Sequence, residues 1–338
     1  MSLSACILGC AGPDLTKTEK AFFAEVRPWG FILFARNVET PDQVRALTAA
    51  LRETVGRDDA PILIDQEGGR VQRLGRPHWR RYPPGRAYGQ LTGQDRREIA
   101  RLGGRLIAHD LAAVGVNVDC APLLDAPAPD GHAVISDRAY GDAPADVALL
   151  GRAMAEGLIA GGVLPVVKHI PGHGRARVDS HLELPVVEAG WDDLDARDFA
   201  PFKTLSDMPM AMTAHVIYAA VDRKRPATTS RKVIRKVVRG AIGFDGLVMS
   251  DDLSMKALEG GFRERAEAAL KAGCDVVLHC NGDMAEMKAV ASGTAALKGD
   301  AKRRALAALA RLPKAVEPFD AAEGRARFDA AFEGRFAA

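Results

Sequence analysis

The feature that most constrains the fold of this chain is a series of short apolar runs rich in Val, Ile, Leu and Met. There are eight of them between residues 5 and 280, and each is nearly continuous in hydrophobicity rather than alternating. Such runs are typical of parallel strands that are buried on both faces. The eight predicted strands are residues 5–10, 30–35, 61–65, 116–121, 164–170, 209–215, 246–251 and 274–280.

Segments with a helical spacing of apolar residues lie between and after these strands. The clearest begins with Thr40 as N-cap and Pro41 at the first helical position, which both favour a helix start. Eight strands alternating with helices predict an α/β fold, a single (β/α)8 barrel. An open doubly wound sheet stays the alternative, because periodicity does not show closure. The predicted helices are residues 41–55, 95–114, 144–160, 194–205, 230–241, 262–272, 284–297 and 301–312.

The predicted barrel uses most of the 338 residues, and no Ser/Gly-rich linker or internal repeat divides them. We therefore predict one catalytic domain over residues 1–338, with a helical tail from about residue 300.

Composition limits the kind of partner. The net charge is only +2 and aromatic residues make up 6%, whereas a nucleic-acid-binding surface needs a basic excess or a stacking platform. The apolar runs are far shorter than the ~18–20 residues of a bilayer span. We therefore expect neither a nucleic-acid partner nor a membrane. An odd number of cysteines fits reduced core thiols of a cytoplasmic protein; these are Cys6, Cys10, Cys120, Cys274 and Cys280.

Ionisable side chains collect where the predicted strands end. Two long connections, residues 66–93 and 171–190, begin at the same places, and long loops in compact domains are often functional. Since the carboxyl ends of barrel strands form one face, we expect a polar site there. The residues concerned are Asp65, Glu67, Arg70, Arg73, Asp119, Asp125, Lys168, His169, His215, Asp251 and Asp252.

The segment 168–181 has two interpretations. One is a metal site, with the ligands His169, His173, Asp179 and His181, although the segment lacks a helical His-x3-His frame. The other is a pair between Asp179 and His181, because residues i and i+2 of an extended segment project to the same side. The carboxylate would orient the imidazole and favour its protonated form, so that His181 exchanges a proton near neutral pH.

Six stretches of the chain resemble the NagZ-type β-N-acetylglucosaminidases of glycoside hydrolase family 3. They occur in family order, and the most specific are Lys-His-Ile-Pro-Gly-His-Gly at 168–174 and Asp-Ser-His at 179–181. The resemblance implies a retaining exo-glycosidase without a metal ion or an organic cofactor. The six stretches are residues 30–37, 64–73, 168–174, 179–181, 212–215 and 250–255.

The resemblance also implies roles for individual residues. Asp251 would attack the anomeric carbon and form a covalent glycosyl-enzyme, and Asp252 would brace the strand end. His181, paired with Asp179, would act as acid and base in place of the usual second carboxylate. The glycines beside His173 would let this loop close over bound substrate. The implied sugar-binding residues are Asp65, Arg73, Arg138, Lys168 and His169.

The chain departs from the family pattern after Gly174. Members often carry an acidic residue there, whereas this chain has Arg175, Ala176 and Arg177. These arginines either lie on the loop exterior or contact an acidic part of a substrate. The length resembles the single-domain form, which is found in the cytoplasm of Gram-negative bacteria and used in peptidoglycan recycling.

The implied substrate is a muropeptide or amino sugar, N-acetylglucosamine linked to 1,6-anhydro-N-acetylmuramic acid with or without peptide. We expect a monomer that acts on it. Three other functions stay open: a phosphorylase, because a histidine acid/base places no second anion beside phosphate; a metal-dependent hydrolase using the histidine cluster; and a non-catalytic sugar-binding barrel.

Overall fold

A computed structural model describes residues 2–92, 95–128, 135–176, 178, 180 and 183–336. The strands are β1 Ser4–Leu8, β2 Pro28–Leu33, β3 Ile62–Ile64, β4 Gln66–Gly68, β5 Val71–Gln72, β6 Val118–Asp119, β7 Leu164–Ile170, β8 Val186–Val187, β9 Met210–Thr213, β10 Ile217–Tyr218, β11 Leu247–Asp252 and β12 Val276–His279. Eight of them form a closed parallel barrel in the order β1-β2-β3-β6-β7-β9-β11-β12. The (β/α)8 prediction is confirmed, and the open sheet is wrong.

Each predicted apolar run overlaps one barrel strand, and β7 has the predicted bounds. The remaining four strands form two small sheets that sequence reasoning missed. One is the antiparallel pair β4 and β5, which occupies the long connection after β3. The other joins β8 and β10 in parallel, so that it links the connections after β7 and β9.

The α-helices are α1 Lys17–Val26, α2 Pro41–Val55, α3 Gly85–Gly89, α4 Arg96–Ala112, α5 Pro144–Ala160, α6 Trp191–Asp193, α7 Ala200–Thr204, α8 Arg231–Val233, α9 Phe262–Ala272, α10 Met284–Ser292, α11 Gly299–Leu309 and α12 Ala321–Ala331. Helices α6 and α8 each continue into a π-helical stretch, Leu194–Asp198 and Ile234–Ala241 respectively. Among the described residues, we find no helix with the length and apolarity that a bilayer span requires.

Helix ends follow local signals. Helix α10 stops five residues before its predicted end, with Gly293 at its C-cap, where a Cβ would overlap the carbonyl oxygen of Arg263. Helix α1 was not predicted, although Thr16 and Glu19 form a capping box at its start. That Thr-x-x-Glu pattern is the sequence signal that would have found it.

Two layers of apolar side chains stabilise the barrel. Successive residues of a strand point to opposite sides, so Ile7 and Leu63 belong to the interior cluster. Their neighbours Leu8 and Ile64 belong to the layer between the strands and the helices. Full burial of each such side chain contributes ~1.5–3 kcal/mol. All five cysteines are buried and free, as predicted.

The helices after residue 298 pack on the barrel. Ala305 and Ala308 of α11 join the interior cluster, and Arg304 lies 3.1 Å from Asp275, just before β12. Helix α11 therefore covers the amino end of the barrel strands. Because this end is closed, the carboxyl ends form the face that is open to a ligand.

Candidate active site

The carboxyl ends of β3 and β7 bring a buried lysine between two carboxylates. Lys168 Nζ donates to Asp65 Oδ1 at 2.8 Å and lies 2.7 Å from Glu67 Oε1. The lysine side chain is only 3% exposed, so both ion pairs form away from bulk solvent. Removal of one partner from such a pair leaves an uncompensated buried charge.

Two arginines complete this ion network. Arg73 Nη2 donates to Asp65 Oδ2 at 3.1 Å. Arg138 donates to both oxygens of Glu67, from Nε at 2.9 Å and from Nη2 at 2.7 Å, which is the strong bidentate arrangement. Three cations against two carboxylates give the network both donors and acceptors, as recognition of sugar hydroxyl groups requires.

Electrostatics keep the network ionised. Burial raises the pKa of Asp65, but the charges of Lys168 and Arg73 outweigh it and hold that pKa below its usual value. Burial also raises the pKa of Glu67, but the charges of Arg138 and Lys168 outweigh it and hold that pKa well below its usual value. Burial lowers the pKa of Lys168, and the two carboxylates more than reverse this.

The structure thus joins four of the five predicted sugar-binding residues in one network, namely Asp65, Arg73, Arg138 and Lys168. Their role in sugar binding stays a prediction. Glu67 was noticed only as a strand-end acid and had no assigned role. Its bidentate contact with Arg138 spans 71 residues, and local sequence patterns give no signal for such a pairing.

The fifth predicted residue, His169, is fixed by Asp125. The imidazole Nδ1 lies 2.7 Å from Asp125 Oδ2, while Asp125 Oδ1 accepts from the backbone N–H groups of His169 and His173 at 3.1 and 2.7 Å. Burial raises the pKa of Asp125, and His169 and these hydrogen bonds lower it further than burial raises it. An ionised carboxylate only accepts, so Nδ1 of His169 donates.

His173 connects the end of β7 to the following loop. Burial lowers its pKa to about 4, so the ring is neutral at pH ~7. Its Nε2 lies 3.2 Å from Ser180 Oγ. The chain neighbours of Ser180 are Asp179 and His181, which lie outside the described residues, so the acid/base pair stays a prediction.

The metal interpretation stays a prediction for the same reason, because two of its four ligands, Asp179 and His181, lie outside the described residues. Within the described residues, the rings of His169 and His173 lie 5.7 Å apart between centroids. We find no group of three or more His, Cys, Asp or Glu side chains in this part of the chain that could hold a metal ion.

Close packing explains the two glycines beside His173. A Cβ at Gly174 would overlap the carbonyl oxygen of Ala126, and one at Gly172 would lie 2.9 Å from Asp198. Gly172 also has a φ of 134°, which other residues rarely adopt. The first part of the loop is therefore held against the barrel, and closure of its later part stays a prediction.

Arg175 pairs with a carboxylate of the protein itself. Its Nε donates to Asp198 Oδ2 at 2.7 Å. Asp198 is 1% exposed, and burial raises its pKa to about 6. Arg175 is thus tied to the protein and only 24% exposed rather than on the loop exterior, and its contact with an acidic part of a substrate stays a prediction. Arg177 lies outside the described residues.

The end of β11 presents two adjacent aspartates with different surroundings. Asp252 accepts from Ser254 N at 3.0 Å, from Ser254 Oγ at 2.5 Å and from Cys280 N at 3.1 Å. Its carboxylate is thus occupied by contacts that brace the strand end. Asp251 is half-buried and its Oδ1 accepts from the backbone N–H of Asp252 at 2.8 Å.

His215 supports this strand end from the neighbouring β9 side. Its Nε2 lies 3.0 Å from the carbonyl oxygen of Asp252, and its Nδ1 lies 2.6 Å from Thr228 Oγ1. Burial lowers the pKa of His215, and the charge of Asp251 opposes this. A carbonyl only accepts, so the neutral ring donates from Nε2 and accepts at Nδ1.

Asp119 is a fully buried acid beneath the network. Its Oδ1 accepts from Gln66 N at 2.9 Å, and its Oδ2 has no hydrogen-bond partner among the described residues. Burial raises the pKa of Asp119 to about 8. The folded protein therefore holds a proton here that an unfolded chain releases near pH ~4.

This proton makes stability depend on pH. Between pH ~4 and ~8 the folded state binds more protons than the unfolded state, so the contribution of Asp119 to the free energy of unfolding falls as pH rises. As pH rises through this window, we expect the free energy of unfolding of Asp119→Asn to increase relative to that of the wild type by up to ~1.4 kcal/mol per pH unit. Denaturant unfolding at pH ~5 and ~8 measures it; a difference between the two proteins that does not change with pH would disprove the assignment.

Comparison with known proteins gives a matching family and a similar protein sequence. The model of the glycosyl hydrolase family 3 N terminal domain matches residues 14–312. A beta-hexosaminidase of Nitrosomonas eutropha is 40% identical over 290 residues, which cover 83% of this chain and 82% of the relative.

Two solved structures share the fold. NagZ from Neisseria gonorrhoeae in complex with N-trifluoroacetyl-D-glucosamine has a TM-score of 0.85 and 32% identity, and the match covers 100% of this chain and 99% of that one. A glycoside hydrolase family 3 beta-N-acetylglucosaminidase from Paenibacillus sp. has a TM-score of 0.86 and 31% identity, with 98% of this chain and 67% of that chain covered.

Proposed function

Since the chain belongs to glycoside hydrolase family 3, we propose that it is a retaining exo-β-N-acetylglucosaminidase with Asp251 as nucleophile. The relatives show a glycoside hydrolase of the β-hexosaminidase type. The observation that carries the assignment of the nucleophile is the pair of aspartates at the end of β11. Asp252 accepts hydrogen bonds from Ser254 and from Cys280 N that brace the strand end, and Asp251 lies beside it, half-buried like its neighbour, with Oδ1 accepting from the backbone N–H of Asp252.

The ion network supplies the sugar-binding half of the proposed site. Asp65 and Glu67 accept from hydroxyl groups of a terminal N-acetylglucosamine, and Lys168 and the arginines donate to them. Because these groups are already paired and ionised, they need little reorganisation when the sugar binds.

The proposed reaction has two displacements. In the first, Asp251 forms a bond to the anomeric carbon while the glycosidic C–O bond breaks, and His181 gives its proton to the departing oxygen. In the second, His181 takes a proton from water, whose oxygen bonds to the anomeric carbon and releases Asp251. Two inversions give net retention. Asp179 would orient His181 and stabilise its protonated form.

We further propose N-acetylglucosamine linked to 1,6-anhydro-N-acetylmuramic acid as the substrate, in peptidoglycan recycling by a cytoplasmic monomer. The experiment for the core proposal is hydrolysis of an aryl N-acetyl-β-glucosaminide followed by NMR of the first sugar product. We expect the β-anomer, with the same rate after a chelator is added. The α-anomer would overturn the retaining mechanism, and N-acetylglucosamine 1-phosphate as main product in phosphate buffer would make the protein a phosphorylase.

The imidazole acid/base gives a prediction that depends on the leaving group. We expect His181→Ala to lower kcat/KM about 10²–10⁴-fold on a disaccharide, whose alkoxide leaving group needs a proton. A dinitrophenyl glycoside needs no proton, so its glycosylation step should be much less affected. Rapid-quench rates on both substrates provide the measurement. Equal losses on both would contradict the acid role.

A further inference from the structure

A groove on the rim of the active-site face plays no part in this mechanism. It is a cavity of about 400 Å³ between α9 and the segment of residues 224–231. Its apolar lining is made of small and medium side chains, among them Leu184, Pro226, Ala257 and Leu258. A concave apolar surface of this size fits a short chain better than a single ion.

Cations surround this apolar lining. Lys224, Arg225 and Arg231 come from the segment before and at the start of α8, and Arg265 and Lys271 come from α9. All of these except the half-buried Arg265 are exposed. None of the five forms an ion pair with any residue in the described part of the chain. Glu259 is the one acidic side chain among the described residues of the lining.

The near-neutral net charge of the whole chain does not reveal that positive charge is concentrated near this groove. Residues 222–239 include eight Lys and Arg but a single acid, Asp222. Arg223 pairs with Glu188 and Arg239 with Asp275, and like charges among the remaining cations repel one another. The groove is thus a surface where an anionic ligand gains from several cations at once.

The groove also adjoins the proposed catalytic residues. Arg265 Nη1 donates to the carbonyl oxygens of Leu253 and Met255 at 2.7 and 3.2 Å, directly after the aspartates of β11. Leu184 lies three residues after His181 in the chain. The segments that carry the proposed nucleophile and the proposed acid/base therefore both contribute to the groove.

We infer that this groove binds an acidic peptide carried by the leaving group of the substrate, an inference that rests on the proposed function. The peptide carboxylates would pair with Lys224, Arg225 and Arg231, and its small apolar side chains would contact the lining. No aromatic side chain is among the described residues that line the cavity, so nucleic-acid bases find no stacking partner. The apolar side of the helix from Arg231 is buried, so it does not insert into a bilayer.

The test compares two substrates, N-acetylglucosaminyl-1,6-anhydro-N-acetylmuramic acid alone and the same disaccharide bearing an alanyl-glutamyl peptide. In Arg225→Gln/Arg231→Gln we expect kcat/KM for the peptide substrate to fall about 5- to 30-fold, as loss of two exposed charge pairs predicts. The peptide-free disaccharide should change less than about twofold, because neither arginine contacts the catalytic network.

Lys232→Gln/Lys236→Gln is the matched control. It removes the same amount of charge from the same basic segment, and both lysines are exposed and lie outside the groove lining. We expect its ratio of kcat/KM values, peptide substrate over peptide-free substrate, to match the wild type. An equal fall of this ratio in both double variants would show that the effect comes from long-range electrostatics, and would overturn the inference that the peptide binds in the groove.

Two outcomes separate the inference from the proposed function. Turnover of both substrates with an unchanged ratio in Arg225→Gln/Arg231→Gln would overturn the groove and leave the glycosidase standing. If the wild type releases no N-acetylglucosamine from either substrate, the proposed function is wrong, and this inference fails with it. Binding of phosphatidylglycerol vesicles or an oligonucleotide that only the groove variant loses, with the substrate ratio unchanged, would assign the surface to a polyanion instead.

Discussion

Asp251→Ala is expected to lower turnover of an aryl N-acetylglucosaminide by at least ~10⁴-fold while the protein stays folded. A covalent route that loses its nucleophile has no second group to form the glycosyl-enzyme, and losses of this size are typical of such deletions. Asp251 is half-buried, so the truncation leaves little unfilled space in the core. Steady-state rates together with a thermal unfolding curve provide the measurement.

Asp252→Ala is the matched comparison, one residue along the same strand. Its carboxylate accepts three hydrogen bonds, so we expect a loss of stability of a few kcal/mol, at ~1–1.5 kcal/mol per bond. Activity should fall less than in Asp251→Ala. An active Asp251→Ala protein, or inactivity that follows from unfolding, would contradict the assignment of the nucleophile.

Lys168→Met has the largest expected effect on stability. The substitution leaves Asp65 and Glu67 buried without the cation between them, and loss of one partner from a buried pair costs about 3–5 kcal/mol. Urea unfolding at neutral pH measures it. Lys203→Met is the control, because Lys203 and Asp195 form a pair in which both side chains are more than a third exposed, worth under ~1 kcal/mol.

The effect of Lys168→Met should shrink in acid. In the wild type, the pKa of both carboxyl groups lies below its usual value, so their stabilising contribution is present at neutral pH and is lost as pH falls through the folded pKa. In the variant the cation is gone and burial favours the protonated carboxyl groups. A difference that stays constant between pH ~7 and ~2 would contradict the network.

The barrel was predictable because its signal is local. Each apolar run marks a strand that is buried on both faces, and the run at 164–170 was predicted to the residue. The acids and bases at the strand ends follow from the same reading, since closure brings all carboxyl ends to one face. Closure itself is a long-range property, and it appears only in the pairing of β1 with β12.

Pairings between distant residues could not be predicted. No local sequence signal links Arg175 to Asp198, which lies 23 residues further along the chain in a π-helical stretch, so neither predicted alternative included this ion pair. The pKa of Asp119 depends on complete burial, which a two-residue strand does not reveal. Net charge could not reveal the groove, because it averages over the basic segment 222–239, of which only part lines the groove.

The most direct test of the central claim is mass spectrometry of the protein after reaction with a 5-fluoro-N-acetylglucosaminyl fluoride, which slows release of the glycosyl-enzyme. We predict that one sugar is added, and that the modified peptide after proteolysis carries it on Asp251. A sugar on another residue, or no adduct from an enzyme that consumes the reagent, would contradict the account.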